Sequence, residues 1–121
     1  MEKYNKSVGK MGEAHAVYYL KKKSFRILER NYTIRGGEID IIAKYGDWTV
    51  FIEVKTRTND RFGSGLEKIN YYKQEYIKRT ALHYLKGNPY GKIRFDVIEI
   101  VGEIKNNRLL VNEVNHIENA F

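Results

Sequence analysis

The sequence predicts an α/β fold, a mixed central sheet of about five strands flanked by helices. Two stretches with helical periodicity alternate with strand-like runs in the order helix, three strands, helix, two strands. Turn signals at Gly36-Gly37, Gly46-Asp47 and Asn106-Asn107 separate the strand-like runs, and no internal repeat suggests a solenoid. With 121 residues, the chain is expected to form one domain over 1–121.

Residues 7–23 (SVGKMGEAHAVYYLKKK) read as a helix, with Ser7 as the N-cap candidate and closing lysines suited to the negative end of the helix dipole. At the helical period, Glu13 lies on the stripe that carries Gly9, Ala16, Val17 and Leu20, so its carboxylate is expected to point toward the body of the protein. The β-rich run 25–34 (FRILERNYTI) follows, then EIDIIAKY at 38–45 and WTVFIEVKT at 48–56. Gly46-Asp47 between the last two is a two-residue hairpin signal. Residues 57–66 (RTNDRFGSGL) are turn formers and polar groups and read as a loop. A second helix is expected from about Glu67 to Leu85, stopped by Gly87-Asn88-Pro89. KIRFDVIEIV at 92–101 and RLLVNEV at 108–114 supply the last two strands, and HIENAF closes the chain.

Without cysteine, disulfide scaffolds, thiolate zinc sites and cysteine nucleophiles are excluded together. The first twenty residues carry scattered charges and no apolar signal region, and no apolar run approaches a membrane span, so a cytoplasmic protein without a membrane partner is expected. The net charge of +7 is uneven: +6 over 1–35, −2 over 36–60, +5 over 61–92 and −2 over 93–121. A basic surface draws in polyanions by counterion release, whereas an acidic cluster repels phosphate unless a cation sits in it. Two basic blocks around an acidic middle therefore point to metal-dependent phosphate chemistry on nucleic acid. Lysine used for solubility is the plain alternative.

Hairpin register locates that chemistry. With Tyr45 opposite Trp48, Asp40 is expected directly across from Glu53 and Glu38 across from Lys55, all four on one face. Opposed carboxylates repel each other unless a cation or open water separates them, and the neighbouring Ile42 and Phe51 argue against open water. Mg²⁺ (or Mn²⁺) suits such a site, since it takes hard oxygen ligands and needs only one or two carboxylates. Lys55 would then orient or deprotonate an attacking water, or neutralise charge on the phosphate, with Glu13 approaching as a further carboxylate. The competing reading is an ordinary exposed strand with cross-strand ion pairs.

Lys73 falls on the inward stripe of the second helix with Ile69, Tyr76, Ile77 and Thr80. It either holds phosphate at the edge of the site or passes the core to solvent. Arg57 and Arg61 enter the loop beside the site as candidates for clamping a backbone phosphate, with solvated arginines as the alternative. Asp96 is expected to pair with Arg94 or a nearby backbone group. His15, His83 and His116 lack metal-ligand spacing and are read as structural or solvated. Of the ten tyrosines, only a few are candidates for stacking on unpaired bases.

The run GGEIDIIAKYGDWTVFIEVKTR, with GEAHAVYYL upstream and RFDVIEI downstream, resembles the YraN family of bacterial proteins, members of the restriction-endonuclease-like PD-(D/E)XK superfamily. The resemblance extends from Gly9 to Phe121 and is carried by Gly12-Glu13, GEID at 37–40, FIEVKTR at 51–57, Lys73 with Ala81 and Leu85, and RFDV at 94–97. It implies a restriction-endonuclease-like fold and a metal-dependent nuclease acting on DNA ahead of RNA. Asp40, Glu53 and Lys55 match the nuclease centre, and Val54 matches the position that lends a backbone carbonyl to the metal. Glu13 matches a first-helix glutamate of the similar archaeal Holliday-junction resolvases, and by that analogy a homodimer and branched or structured DNA are expected. The superfamily's proline before the aspartate is replaced by Ile39. Two other functions are weighed beside the nuclease: a nucleic-acid-binding module that keeps the fold without cutting, and an adaptor whose basic helices meet an acidic protein.

Overall fold

The computed structural model describes residues 2–58 and 70–121, with side chains from Lys6 onward. Its elements are α1 (Glu2–Lys22), β1 (Arg26–Ile34), β2 (Gly37–Tyr45), β3 (Trp48–Thr58), α2 (Tyr71–Lys86), β4 (Lys92–Lys105) and β5 (Arg108–Ile117). The strands form one sheet in sequence order, β1-β2-β3-β4-β5, in which β3 and β4 are parallel and the other neighbours antiparallel. A parallel pair needs a crossover connection, and α2 lies within it. The mixed five-stranded α/β sheet with two helices is therefore as expected. No described helix is long and apolar enough to cross a membrane.

Period-two alternation gives the sheet two apolar faces. On one, Ile41, Ala43, Val50, Ile52, Ile98 and Ile100 pack with Ala16, Val17 and Leu20 of α1. On the other, Ile42, Phe51 and Phe95 pack with Ile77, Ala81, Tyr84 and Leu85 of α2. The sheet is thus the middle of three layers. Tyr45 stands opposite Trp48, and left-handed backbone at Gly46 alone of the two turn residues (φ 59°) gives the type II′ hairpin pattern. Asn106 and Asn107 are both left-handed (φ 53° and 62°), the type I′ pattern, and hold Lys105 opposite Arg108.

Several boundaries differ from expectation. Ser7 does not cap α1, which begins at Glu2; Ser7 lies exposed inside the helix, where its propensity penalty is mild and no glycine or proline precedes it. At the other end, Phe25 N–H donates to the Leu20 carbonyl at 2.9 Å and Ser24 N–H to that of Lys21 at 3.0 Å, a Schellman closure with Ser24 left-handed at φ 72°. This closure turns Phe25 into the α1-side core. The second helix begins at Tyr71, not Glu67. Asn70 is extended (φ −69°, ψ 166°) and its side-chain oxygen accepts the Lys73 N–H at 2.9 Å. Finally, β3 continues through Arg57 and Thr58 because β4 stays paired with it as far as Gly102, so Arg57 belongs to a strand and not to a loop.

Asp96 is wholly buried and hydrogen-bonded to the Arg94 Nε (3.0 Å), the His116 Nε2 (2.7 Å) and the Asn119 N–H (2.9 Å). His116 Nδ1 in turn meets the Tyr19 hydroxyl at 3.1 Å, which ties α1, β4, β5 and the C-terminal segment together. Burial pushes the Asp96 carboxyl upward, but the bonds from His116, Arg94 and Asn119, with the Arg94 charge, hold it below the usual carboxylate range. The expected pairing of Asp96 with Arg94 and backbone is present, and His116 is structural.

The helix α2 approaches β2 so closely that a Cβ at Gly37 would collide with Thr80 Oγ1. Gly37→Ala is expected to cost about 1–3 kcal/mol of unfolding free energy. Adding Thr80→Ala to the same chain should recover much of that loss. Chemical denaturation of the two single variants and the double variant checks this; strictly additive costs would mean that Thr80 is not the obstacle.

Candidate functional site

The β2–β3 ladder runs from Tyr45↔Trp48 to Ile41↔Ile52 and stops there. Beyond it β3 remains paired with β4 as far as Thr58↔Gly102, while β2 remains paired with β1 through Tyr32↔Ile39 to Ile34↔Gly37. The sheet therefore splits. In the gap, the Val54 N–H has no strand partner, and Asp40 Oδ2 accepts its hydrogen at 2.8 Å. Asp40 and Glu53 are thus not a ladder pair, and Glu38 does not stand opposite Lys55. Strict alternation is also interrupted here, since Ile39 and Ile42 both pack on the α2 side, so the expected single face for 38, 40 and 42 does not hold. The carboxyl groups of Asp40 and Glu53 nevertheless meet across the gap and share a hydrogen bond.

Burial first, and then the Glu53 charge, raise the Asp40 carboxyl. The Val54 amide opposes them, the Glu13 charge and the bond to Glu53 reinforce them, and Asp40 is pushed up to about 8. Glu53 is only 13% exposed and its Oε2 lies 3.2 Å from the Lys73 Nζ, so Lys73 reaches the site edge. Lys55 follows Glu53 on the same face of β3, whose register with β4 is unbroken. It is half-buried, and among the described residues its amine has no hydrogen-bond or ion-pair partner. In an extended strand the N–H and C=O of one residue point to the same side, so the Val54 carbonyl also faces the gap.

Glu13 arrives from α1, where Gly12 lies so close to β3 that a Cβ there would collide with Thr56 Oγ1. Its Oε1 accepts from Asn31 Nδ2 at 3.0 Å. Asn31 lies between the ladder pairs Arg30↔Ile41 and Tyr32↔Ile39, level with Asp40, and is left-handed (φ 52°) inside β1. Strained backbone of this kind collects at functional sites. Sequence reasoning missed Asn31; the available signal was an asparagine, the side chain most tolerant of that conformation after glycine, interrupting a β-rich run. Among the described residues no set of three or more His, Cys, Asp or Glu side chains could hold a metal ion, and Glu13 acts on Asp40 through its charge. Among the described residues, the Asp40 and Glu53 carboxyl groups and the Val54 carbonyl bring oxygens to the gap. Arg57 is neither solvated nor in a loop, because its Nε lies 2.8 Å from Oε2 of the buried Glu99, whose Oε1 accepts from Asn115 Nδ2 at 2.9 Å. Arg61 lies outside the described residues.

The model of a family described as "Uncharacterised protein family UPF0102" matches residues 12–100, a span that includes every residue of the gap. The chain belongs to the UPF0102 family. This is the family to which the YraN resemblance led. A UPF0102 protein of Alkaliphilus oremlandii is 48% identical over 121 aligned positions, covering 97% of this chain and 99% of its own. One from Caldanaerobacter subterraneus subsp. tengcongensis is 43% identical with complete coverage of both chains, and one from Clostridioides difficile is 44% identical over 97% of this chain and 98% of its own. These UPF0102 relatives match along the whole length, helices and carboxylate-bearing strands together.

In the UPF0102 site, the raised Asp40 gives a pH signature. The folded metal-free chain keeps a proton that the unfolded chain releases near 3.8, so this contribution to stability is complete below that pH. It is then lost as pH rises toward about 8, and is flat above. Asp40→Asn should remove that slope in chelator-treated protein, read as melting temperature against pH. Superimposable wild-type and Asp40→Asn profiles would refute the raised carboxyl.

Asn31 gives a second check. Asn31→Ala should cost about 1–2 kcal/mol because alanine is strained in left-handed backbone, whereas Asn31→Gly should be near neutral although it loses the same bond to Glu13. Equal costs in denaturant titrations would show that the side chain, and not the backbone, matters there.

Proposed function

We propose that this UPF0102 protein is a metal-dependent nuclease of restriction-endonuclease-like fold that hydrolyses phosphodiester bonds in nucleic acid, DNA ahead of RNA. The observation that carries this reading is the pair of carboxyl groups that meet in the sheet gap, where burial and the Glu53 charge raise Asp40, set beside a lysine that has no partner among the described residues. A purely structural pair of buried carboxyls would work against the fold with no return. The donor set fits a hard divalent ion such as Mg²⁺ or Mn²⁺: the Asp40 and Glu53 carboxylates and the Val54 carbonyl would hold it through oxygen.

When bound, such an ion would supply Lewis acidity to the phosphate and to the attacking water. The chain's own groups do the rest. Asp40 is held in place by the Val54 amide, which orients its carboxyl group in the gap. Lys55, on the face that carries Glu53, donates to a non-bridging phosphate oxygen and offsets the charge that builds as the bond breaks. Lys73 exchanges its contact with Glu53 for the neighbouring phosphate once the carboxylate charge is otherwise met. Arg57, held by Glu99, adds positive charge on β3 beyond Lys55. The basic blocks at 1–35 and 61–92 supply the long-range attraction.

The test uses labelled linear, flap and four-way substrates with Mg²⁺ or Mn²⁺, and wild type beside Glu53→Gln and Lys55→Ala. Wild type is expected to cut at least one substrate, and each variant to lose about 100-fold or more. Cutting that persists in both variants marks a contaminant. Binding without cutting by the wild type would transfer the protein to the class of non-catalytic nucleic-acid-binding modules. A thermal scan adds an independent readout: saturating Mn²⁺ should raise the wild-type melting temperature and leave Asp40→Asn nearly unmoved.

A further inference from the structure

Beside the carboxylates runs a groove of about 420 Å³, bordered by Gly36, Gly37 and Glu38 at the start of β2 and by Lys73 and Tyr76 of α2. Lys73 belongs to both places, since the same amine lies 3.2 Å from Glu53. Whatever occupies the groove is therefore continuous with the site. Tyr76 is 43% exposed, and the Arg79 guanidinium lies 5.7 Å from its ring centroid. Tyr72, one helical turn earlier on the same side of α2, is 83% exposed. Exposed aromatic rings interleaved with cations are the components of a base-stacking platform, in which rings take base faces and amines take the backbone.

We infer that this groove takes an unpaired nucleotide next to the scissile phosphate, its base stacked on Tyr76 and its phosphate at Lys73. Within a duplex both faces of every base are covered by neighbours, so only an unpaired base presents a face to the tyrosine. The volume is at the lower end of small-molecule sites and does not accommodate a helix of nucleic acid. Glu38 fixes the polarity of the occupant. Its carboxylate disfavours a phosphate at its rim and accepts from the amino or imino edge of a base, which leaves Lys73 as the phosphate end. The inference rests on the nuclease reading of the Asp40–Glu53 gap and narrows its substrate to strands with unpaired bases at the cut.

Fluorescence anisotropy in chelator, where no cutting occurs, tests it with three probes: a short oligothymidylate, an abasic strand of equal length, and a duplex of that length. Tyr76→Ala should weaken oligothymidylate binding by about 5- to 100-fold, Tyr76→Phe should retain it, and abasic-strand binding should be the same in wild type and Tyr76→Ala. Lys73→Ala should weaken the oligothymidylate and the abasic strand alike. Equal losses on both strands in Tyr76→Ala, or a matching loss on the duplex, would overturn the stacking assignment. If wild type binds all three probes and Tyr76 is indifferent, the groove inference fails and the nuclease reading stands; if it binds none, both fail.

Discussion

A backbone amide cannot be left without an acceptor inside a protein, and the parting of β2 from β3 puts Val54 in that position. The Asp40 carboxylate meets the need. That one bond sets the rest of the site: it holds Asp40 against Glu53, fixes the Val54 peptide so that its carbonyl faces the same gap, and gives the Val54 amide an acceptor where the strands separate. The parting is itself enforced from both sides. β1 keeps β2 and β4 keeps β3, so each inner strand follows its outer partner and the seam opens between them.

Each helix then contributes one side chain to the seam, by a local device. Gly12 allows α1 to lie against Thr56, which brings Glu13 within electrostatic reach of Asp40. The Asn70 cap starts α2 late enough that Lys73 falls in its first turn and meets Glu53. Positive and negative charges thus converge from opposite faces of the sheet on a place where the sheet is open. On the adjacent strand, level with Ile52, a second cluster is built on the contrary principle. There Asp96 has every lone pair answered by Arg94, His116 and Asn119, and the outcome is a lowered carboxyl that stabilises the folded chain near neutral pH.

Much of this was legible in the sequence because it is governed by short-range rules. Period-two alternation and Gly46-Asp47 gave the hairpin and its register down to Ile41↔Ile52, and the helical period turned Glu13 inward. The approach of Asp40 to Glu53 was read correctly as proximity and incorrectly as a cross-strand pair. Alternation has no means of announcing where a ladder ends when the cause lies in the outer strands. Asn31 was signalled only by its residue type, since alternation does not say which residue of a strand turns left-handed. Arg57 looked like loop because Thr56 to Asp60 is polar; only β4, reached after a long crossover, holds it in a strand. The helix ends turned on single side chains. Ser7 and Asn70 are both acceptable caps, and the chain uses the second.

The gap also joins two ranges of sequence separation. Asp40 and Val54 are 14 residues apart, within one hairpin, whereas Arg57 meets Glu99 across 42. Closing a short loop is fast and loses little chain entropy, while the parallel crossover is slow and non-local. These separations predict that the hairpin gathers the repelling carboxylates before β4 and α2 have docked, so the repulsion bears on the first contact formed and not on the last.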